Sequence, residues 1–522
     1  MTARVRVTYA TLSADNEDLH TSYEEGLRVA KSWLGATIPT KVAGEARTAG
    51  AAFAVTSPSD TAIRLCTAHA ATPEDTDDAV RSAAAAFGRW RRTPWAERVA
   101  LLRRAADLIS ERAPELAALM SMEVGKNRLE ALGDVEESAD LIRYYCDQYE
   151  AADGFTAPMD TLSPAETTSS VLRPYGPWAV ISPFNFPMAL AAGPAGAALV
   201  AGNPVLIKPS PQGTFTAAKL HDCLIDAGIP AGVAHLLPGG DEVGQALVEH
   251  DGVAGLTFTG STATGALVRA RFSRRFPKPV ITETGGKNAA VVTASADLAV
   301  AAAGVARSAF GLSGQKCSAC SRVYVQREVV DDFLAALAAE ADALVVGDPT
   351  QRAVFLGPVI DAAAVARYTA AVDHAREHGR IVVGGDVLRP DEGRSRGHFV
   401  TPTVVTGLPA DDPLLRDELF VPFVAVVAVD SLDEAITLAN ATDYGLTAGF
   451  FSGDDAEIER FLDEIEAGVV YVNRAAGATT GAWPGVQPFG GWKGSGSSGK
   501  AGGGPHYVQL YLREQSRTVV AR

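Results

Sequence analysis

The chain has 522 residues, 47% of them hydrophobic and 21% charged, which is the composition of a soluble globular protein. A chain of this length is too long to fold around one small hydrophobic core, so two or three folded domains are expected. Lysine and arginine number 46 against 62 aspartate and glutamate residues, giving a net charge of 46 − 62 = −16. Such an acidic surplus argues against a surface for nucleic acid or for an anionic membrane, and we expect neither partner.

The chain start and the cysteines bear on the compartment. Residues 1–6 contain no apolar core followed by a small-residue cleavage site, so no signal peptide is expected. Five cysteines are an odd and sparse set, which favours a reducing cytoplasm. The most membrane-like run, 188–207, is interrupted by glycine and proline, so a buried helix followed by a buried strand is predicted there.

The first part of the chain is predicted to be mainly helical after a weakly patterned start. Residues 1–70 show little periodicity and are expected to wrap the surface. Thr93 and Pro94 look like an N-cap followed by proline at the first helical position, and apolar residues recur on one helix face between 99 and 109. A second long helix is predicted over 123–145.

From Trp178 the pattern changes to short apolar runs that alternate with helical segments of about ten to fifteen residues. This alternation predicts an α/β fold with a parallel sheet covered by helices on both faces, and a second α/β region over 288–471. Two segments, 167–173 and 507–520, have strand-like composition but no obvious place in either sheet. The predicted strands are 178–182, 204–208, 233–237, 254–258 and 279–283, followed by strands near 289–293, 321–326 and 423–428.

Two short segments carry residues suited to covalent catalysis. Cys317 lies between the polar residues Lys316 and Ser318 at the mouth of a predicted strand. Glu283 follows another strand and precedes a glycine turn. A thiol that attacks and a carboxylate that takes protons are the two groups needed for covalent catalysis on a carbonyl. The alternatives are a buried small hydrophobe for the cysteine and a surface carboxylate for the glutamate.

Two other patterns could indicate zinc. Cys317 and Cys320 form a Cys-x-x-Cys pair, but the sequence contains no second pair and nothing thioredoxin-like around this one. Residues 374–378 fit an H-x-x-E-H pattern, but they end a predicted helix, where His and Arg suit the negative end of the dipole. No third ligand is evident, and no metal site is expected.

Together with Pro183-Phe184-Asn185-Phe186-Pro187, the Cys317 and Glu283 segments resemble the aldehyde dehydrogenase superfamily. The resemblance implies that Cys317 is the nucleophile and that Glu283 activates the water that releases the acid. It also implies that the Asn185 amide and the backbone N–H of Cys317 stabilise the oxyanion. Cys320 would then be a packing residue.

The same resemblance implies three folded parts. A Rossmann-type nucleotide-binding domain would comprise 1–155 and 173–285, and an α/β catalytic domain would comprise 286–484. A β oligomerisation arm would be formed by 156–172 and 495–522. In the family such an arm adds a strand to a neighbour's sheet, so a homodimer or a higher homo-oligomer is expected.

The cofactor implied by the resemblance is NAD, with NADP as an alternative. The family lysine that binds the adenosine ribose corresponds to Lys208, and the glutamate that binds the nicotinamide ribose corresponds to Glu418. Val421 stands where the family usually has glycine, and Pro211 stands where many NAD-specific members have a glutamate. The full set of cofactor residues implied is Lys208, Ser182, Phe184, Gly240, Gly244, Gly260, Ser261, Glu418 and Phe420.

Several longer segments, including 314–322 and 487–491, look like those of L-glutamate γ-semialdehyde (1-pyrroline-5-carboxylate) dehydrogenases, which complete the breakdown of proline to glutamate. This resemblance implies that Ser318 and a turn at Gly481 and Ala482 hold the substrate carboxylate. It further implies that Glu137 contacts the α-amino group and that Phe489 packs on the aliphatic chain.

Two alternatives to this substrate assignment stay open. Ser318 and Gly481 could instead serve tight packing beside the cysteine. Trp483-Pro484, an extra glycine near 503 and His506 depart from the subfamily pattern, and each is expected near the substrate mouth. A dehydrogenase of another small aldehyde or semialdehyde is therefore the alternative function.

Overall fold

The computed structural model describes residues 16–388 and 396–521, in which helices and strands alternate through most of the chain. The helices are α1 Glu17–Ser32, α2 Pro73–Trp90, α3 Trp95–Glu111, α4 Ala113–Val124, α5 Arg128–Ala151, α6 Ala189–Ala201, α7 Thr214–Asp226, α8 Asp241–Glu249, α9 Thr262–Phe272, α10 Leu298–Phe310, α11 Val330–Asp342, α12 Ala362–His378, α13 Leu432–Asn440 and α14 Asp455–Glu464. The strands are β1 Ala36–Ile38, β2 Thr40–Val42, β3 Glu45–Arg47, β4 Ala52–Thr56, β5 Arg64–His69, β6 Thr156–Met159, β7 Glu166–Pro174, β8 Trp178–Ser182, β9 Val205–Pro209, β10 Ala234–Leu236, β11 Gly255–Thr259, β12 Val280–Glu283, β13 Asn288–Val292, β14 Cys320–Gln326, β15 Arg380–Val383, β16 Thr403–Thr406, β17 Phe423–Val429, β18 Tyr444–Gly445, β19 Thr447–Phe451, β20 Val469–Val472, β21 Trp492–Lys493 and β22 Leu512–Val520.

The first large sheet has seven strands in the order β12-β11-β8-β9-β10-β2-β3. Its first five strands are parallel, and β2 and β3 add an antiparallel edge. Alternate residues of β8 enter different cores, Val180 on one face and Ala179 with Ile181 on the other. The strand is therefore buried on both sides, which explains its continuous apolar sequence. The prediction of a parallel sheet covered on both faces is confirmed.

The second large sheet also has seven strands, in the order β15-β16-β17-β14-β13-β19-β20. Only β15 runs antiparallel to its neighbour. The three strands predicted for this region correspond to β13, β14 and β17 within one residue at each end. The glycine turn after β12 joins the two sheets, and it follows Glu283, the last residue of that strand.

The expectation that residues 1–70 wrap the surface is wrong for much of the part that the structure describes. Tyr23 and Ala30 of α1 are fully buried, and α1 packs along α4. β2 joins the first sheet, and β1, β4 and β5 form a separate three-stranded sheet. β1, β2 and β3 are too short for their apolar periodicity to stand out, because strands of three residues show at most two residues on one face.

The long helix predicted over 123–145 is in fact two helices. α4 ends at Val124, and Gly125 follows with a left-handed φ of +80°. A Cβ at Gly125 would lie 3.0 Å from Pro358, so the chain passes close to a distant segment here. Asn127 then caps α5 by accepting the Glu130 N–H at 3.0 Å. α3 begins at Trp95, one residue later than predicted. The Thr93 hydroxyl does not cap this helix, because it donates a hydrogen bond to the Arg89 carbonyl.

The two segments without a predicted place pair with each other. β22 runs antiparallel to β7 through nine residue pairs, and β6 adds a third strand on the other side of β7. Met159, Leu162 and Val519 of this small sheet and its connection are exposed. Residues 495–511 lie outside it, and Tyr511 is fully buried in the main core. The run predicted as a buried helix and strand is α6 followed by β9, and within the described ranges no helix is long and apolar enough to cross a membrane.

Candidate active site

A cavity of about 380 Å³ opens between the carboxyl ends of β11 and β12 in the first sheet and the loop that precedes β14 in the second. Cys317 and Glu283, which come from different sheets, both line it. In α/β proteins the carboxyl ends of parallel strands are the usual place for a ligand. All five residues predicted to contact substrate also line this cavity: Glu137, Ser318, Gly481, Ala482 and Phe489.

Cys317 is held by hydrogen bonds to its backbone. The Asn288 amide at the start of β13 donates to the Cys317 carbonyl at 2.7 Å and to the Ala319 carbonyl at 2.9 Å. Glu130 of α5 binds Lys316 at 2.5 Å and accepts the Leu312 N–H at 3.0 Å. The loop before the cysteine is thus fixed from two sides. Neither the Asn288 nor the Glu130 contact was predicted, because the partners are remote in sequence.

The Cys317 side chain is partly exposed, whereas Cys320 is buried in the core of the second sheet. Burial of the Cys317 thiol, together with the nearby charges of Glu418 and Glu283, raises its pKa to about 12. The resting group is therefore a thiol. Because burial and the two carboxylates disfavour the thiolate, a ligand that brings positive charge or hydrogen-bond donors would favour it.

Glu283 ends β12 with a carboxylate that is nearly isolated. Burial raises the pKa of Glu283 to about 8, against a smaller lowering by the Gly491 backbone. Its Oε2 atom is buried and has no hydrogen-bond partner in the described part of the chain. A carboxyl group with a pKa near neutral is suited to taking a proton from water. The lone oxygen indicates a place where a water or substrate atom can bind.

Asn185 lies behind the nucleophile loop and does not line the cavity wall. Its Nδ2 donates to the Gln315 carbonyl at 2.9 Å, two residues before Cys317. The turn that carries it is fixed by the neighbouring Phe186 ring, which lies 3.4 Å from Lys126 Nζ. Lys126 in turn forms a fully buried 2.8 Å ion pair with Asp134. The amide is therefore held rigidly next to the loop of the cysteine.

The residues predicted to bind the adenosine part of a cofactor lie at the carboxyl edge of the first sheet. Ser182 ends β8, and its buried hydroxyl has no partner among the described residues. Lys208 is near the end of β9, and burial lowers its pKa to about 8 despite the charges of Asp241 and Glu242. Such an orphaned donor and a lysine at a sheet edge fit the ribose and phosphate groups of a dinucleotide.

Helix starts and glycines surround this edge. Gly240 immediately precedes α8, and Gly244 within α8 leaves room beside the Lys208 side chain. Gly260 follows β11 and donates to the Glu283 carbonyl at 3.2 Å. Ser261 caps α9 by accepting the Thr264 N–H. The free N–H groups at these helix starts suit a phosphate.

Glu418 is bound directly to the turn that follows Glu283. Its Oε1 accepts the Gly286 N–H at 3.0 Å, and burial raises its pKa to about 7. A Cβ at Gly285 would lie 2.2 Å from the Glu418 carboxylate, so a larger residue there would displace this side chain. This contact brings the predicted nicotinamide-ribose residue next to the predicted base.

Two aromatic rings stand beside this turn. Phe420, whose φ is +57°, meets Phe184 edge to face with ring centroids 6.0 Å apart. Val421, where the family usually has glycine, is buried in the main core and does not distort the neighbouring strand β17. Pro211 lies in a short 3₁₀ turn after β9 and offers no carboxylate to a ribose.

The anchor turn at Gly481 and Ala482 is fastened to the nucleophile segment. Thr479 Oγ1 donates to the Ser318 carbonyl at 2.6 Å, which joins the two segments one residue after the cysteine. Trp483 Nε1 donates to Asp140 of α5 at 2.9 Å, so the turn is also tied to the helix that carries Glu137. In the sequence, Trp483 was recognised only as a departure from the subfamily pattern, and its hydrogen bond to Asp140 could not be inferred.

Two further residues on the cavity wall were missed. Arg307, in the last turn of α10, is exposed and lines the cavity, and Tyr507 lines it near the C-terminal segment. The sequence signal that could have identified Arg307 is that it is the one charged residue of the apolar helix α10, which precedes the loop of Cys317. Trp483 and Pro484 line the cavity, whereas His506 is exposed and is not part of the wall, so its place near the substrate mouth stays a prediction.

The two zinc-like patterns are accounted for by other contacts. His374 Nε2 lies 2.9 Å from Asp412, and its ring stacks on His378 at 4.1 Å. The Cys320 thiol donates a hydrogen bond to the Arg322 carbonyl at 3.5 Å. Among the described residues, no group of three or more His, Cys, Asp or Glu side chains is placed to hold a metal ion.

Comparison with known proteins agrees with this geometry. The model of the aldehyde dehydrogenase family matches residues 45–516. A protein of Bacillus cytotoxicus named 1-pyrroline-5-carboxylate dehydrogenase is 38% identical over 502 residues, which is 95% of each chain. A protein of Staphylococcus epidermidis with the same name is 37% identical over 500 residues, covering 94% of this chain and 95% of that one.

Solved structures are similar over the whole fold. The 1-pyrroline-5-carboxylate dehydrogenase from Thermus with bound NAD superposes with a TM-score of 0.93 at 33% identity, covering all of both chains. Proline utilization A from Bdellovibrio bacteriovorus gives a TM-score of 0.91 at 35% identity, and the match covers 96% of this chain but only 52% of that longer one. The chain belongs to the aldehyde dehydrogenase family and is an NAD(P)-dependent enzyme that oxidises an aldehyde to a carboxylic acid.

Proposed function

We propose that this enzyme oxidises L-glutamate γ-semialdehyde to glutamate, with NAD, through a thioester on Cys317. The observation that carries the proposal is that Glu137 and the turn of Gly481 and Ala482 line one cavity with Cys317. The substrate is a zwitterion, which needs N–H donors for its carboxylate and an acid for its ammonium group. Relatives named for 1-pyrroline-5-carboxylate, the cyclised semialdehyde, support the same substrate.

The charge of Arg307 also supports an anionic substrate. This guanidinium makes no hydrogen bond or ion pair with other described residues, unlike Lys316, which is bound to Glu130. An unpaired arginine on a cavity wall is suited to a carboxylate, since its planar donors match two oxygens at once. Ser318 and Phe489 would complete the substrate contacts, at the carboxylate and along the aliphatic chain.

In the proposed first half of the reaction, the Cys317 thiol gives its proton to solvent water, and its sulfur forms a bond to the aldehyde carbon. The carbonyl oxygen gains a negative charge, which the backbone N–H of Cys317 and the second N–H of the Asn185 amide would stabilise. Bound at the site assigned below, NAD would supply the acceptor for the hydride that leaves this carbon. The rigid attachment of Asn185 to the Gln315 carbonyl supports its role, because a preorganised donor does not have to reorient during the reaction.

In the second half, water releases the acid. Glu283 takes a proton from water, the water oxygen bonds to the acyl carbon, and the carbon–sulfur bond breaks to return Cys317 as a thiolate. The carboxylate must be ionised for this step, and its pKa of about 8 leaves a useful fraction ionised near neutral pH. The buried, unpartnered Oε2 supports Glu283 as the base.

We assign the cofactor to the edge formed by Ser182, Lys208, Gly240, Gly244, Gly260 and Ser261, with Phe184, Glu418 and Phe420 at the nicotinamide end. NAD is favoured over NADP because Asp241 and Glu242 place negative charge close to Lys208. Those charges would repel a 2′-phosphate but can accept hydrogen bonds from a ribose diol. Pro211 has no charged or hydrogen-bonding side chain, so it neither repels a 2′-phosphate nor binds the ribose diol.

The remaining assignments concern the whole molecule. We propose a nucleotide-binding domain of 1–155 and 173–285, a catalytic domain of 286–484, and an oligomerisation arm of 156–172 and 495–522. A homodimer or a higher homo-oligomer in the cytoplasm is the proposed state, and proline catabolism is the proposed role. The exposed apolar side chains of the small sheet support the arm, since isolated three-stranded sheets of this kind gain stability from a partner.

The test of the substrate is NADH formation at saturating NAD with 1-pyrroline-5-carboxylate, beside succinic semialdehyde and simple aliphatic aldehydes. We expect the highest kcat/KM with the pyrroline. Arg307→Ala and Glu137→Gln should raise KM for that substrate more than for an uncharged aldehyde, which serves as the matched control. Activity confined to other aldehydes would leave the covalent chemistry standing and contradict the role given to Glu137 and to the anchor turn.

A further inference from the structure

A buried chain of hydrogen bonds ends on the wall of the active-site cavity. Trp178 Nε1 donates to Thr257 Oγ1 at 3.0 Å, and Thr257 Oγ1 lies 3.0 Å from the Tyr511 hydroxyl. The Tyr511 hydroxyl then donates to the Tyr507 hydroxyl at 3.1 Å. All four side chains are at most 3% exposed, so water does not compete for these bonds.

The direction of these hydrogen bonds decides which hydroxyl proton is left without an acceptor among the described residues. The Trp178 indole N–H donates and cannot accept, so one end of the chain is fixed. Tyr511 uses its single proton on Tyr507, which means that Thr257 donates to Tyr511. In the reverse direction the Thr257 proton would have no acceptor among the described residues, at a cost of about 1–3 kcal/mol. The Tyr507 proton is therefore the one left over.

Tyr507 brings this proton to the cavity that Cys317 and Glu283 line. Its ring stacks on Tyr145 with centroids 5.4 Å apart and planes 22° from parallel. The Tyr145 hydroxyl, whose residue also lines the cavity, accepts the Gly503 N–H at 2.9 Å. Tyr507 is thus held in place, and it lines the same cavity as Glu283, whose buried Oε2 has no hydrogen-bond partner among the described residues.

We propose that Tyr507 positions the water that releases the acid, by donating a hydrogen bond to the water that Glu283 deprotonates. The inference rests on the proposed function, because it requires a thioester on Cys317. One lone pair of the water accepts from Tyr507, and the other attacks the acyl carbon, while one O–H bond points to Glu283. Glu283 takes that proton, the carbon–sulfur bond breaks, the sulfur leaves as a thiolate, and Tyr507 keeps its own proton throughout.

This series of hydrogen bonds, from Trp178 to Tyr507, orients the water but does not carry protons. Transfer along it would have to pass through the Trp178 indole, which has no lone pair to receive a proton. Burial raises the pKa of Tyr507 well above its usual value, so the hydroxyl remains a donor over the working pH range. These two properties distinguish a fixed donor from a proton relay.

The experiment uses full-length Tyr507→Phe and follows NADH through the first turnover and into the steady state. We expect the first equivalent of NADH to form at the wild-type rate, because this step needs no water. Steady-state turnover should fall about tenfold, the effect of one hydrogen bond to a reacting group. Hydroxylamine should restore much of the loss, since it attacks the thioester without relying on the positioned water.

Two variants serve as controls. Tyr511→Phe keeps the Tyr507 hydroxyl but removes its donor, so a smaller loss on the same step is expected. Tyr368→Phe removes another buried hydroxyl, bonded to the Thr401 carbonyl at 3.0 Å and absent from the cavity wall, and should leave both phases unchanged.

Two results would overturn the proposal. One is unchanged steady-state turnover in Tyr507→Phe. The other is a parallel fall of the first-turnover rate without rescue by hydroxylamine, which would mean a structural role. Failure of the proposed function would look different, since the wild-type enzyme itself would then form no NADH with the pyrroline. If the wild type prefers another aldehyde, the same variants are compared with that aldehyde.

Discussion

Burial sets the chemistry of single residues in this active site. It raises the pKa of Cys317 to about 12, of Glu283 to about 8 and of Glu418 to about 7. In each case desolvation is the largest cause, and the two acids raise the pKa of the thiol further by their proximity to it. Without ligands the site therefore favours neutral groups. The ionised forms that the reaction needs become accessible as substrate and cofactor change the local field.

Replacement of the nucleophile tests the central assignment. Cys317→Ala should lower turnover below about one per cent of wild type, since the covalent step has no substitute. NAD binding, measured by quenching of protein fluorescence, should persist because the cofactor residues lie on other segments. Cys320→Ala is the matched control and should keep most activity. Turnover well above this level in Cys317→Ala would remove the cysteine from the mechanism.

The pH dependence of acid release should report Glu283. Its carboxylate is protonated below its pKa and active above it, so steady-state turnover limited by release should rise with pH and level off above about 8. Glu283→Gln should keep the first equivalent of NADH but slow release by about 10²–10⁴-fold and abolish this dependence. The measurement is rapid mixing with absorbance at the NADH band, repeated at pH values on both sides of that pKa.

A pH profile of release that is the same in Glu283→Gln and in the wild type would assign the titration to another group. Cys317 is the obvious one, because its thiolate fraction also rises with pH. The two groups can be distinguished by kinetic phase, since in the proposed mechanism Cys317 governs the first turnover and Glu283 governs the later ones.

At the scale of elements, the break between α4 and α5 was the main error of prediction. The apolar periodicity runs through Gly125, and a lone glycine within a helical pattern is usually tolerated. The break depends on the Asn127 cap and on Pro358, which is more than two hundred residues away in sequence. The buried Lys126–Asp134 ion pair adds a further constraint at the same corner.

Gly125→Ala tests this corner. The left-handed φ costs an alanine about 1–2 kcal/mol, and the added methyl group would lie 3.0 Å from Pro358. Gly35→Ala is the control, because Gly35 has a φ of +84° but open space around its Cβ position. We expect the thermal midpoint to fall in both variants and further in Gly125→Ala. An equal fall would mean that contact with Pro358 is relaxed without cost.

At the scale of the whole molecule, the small sheet of β6, β7 and β22 is the feature that its own chain leaves least covered. Its two long strands pair along nine residues, yet Met159, Leu162 and Val519 remain exposed. An exposed apolar sheet is a place for association with another chain. This is the physical basis for expecting a homo-oligomer.

Met159→Lys with Val519→Lys should weaken that association without unfolding the enzyme, because both side chains are more than half exposed. Light scattering coupled to size exclusion should show a smaller species with intact circular dichroism. Leu267→Lys, at a residue of α9 that is 57% exposed and far from the arm in sequence, is the control and should leave the mass unchanged. An unchanged mass in the double variant would place the interface elsewhere.

Local pattern was enough to predict the α/β class, eight strands of the two large sheets within one residue at each end, and the two groups assigned to the chemistry. These features depend on short-range periodicity and on motifs such as the segment around Cys317, which a single chain displays directly. Only the folded chain shows which residues meet: Glu130 with Lys316, Asn288 with the Cys317 carbonyl, and Tyr507 with the cavity of Glu283. It also shows where the two leftover strands go, by pairing β7 with β22. Such contacts join segments separated by tens to hundreds of residues, and their geometry follows from the packing of two sheets, which no local pattern encodes.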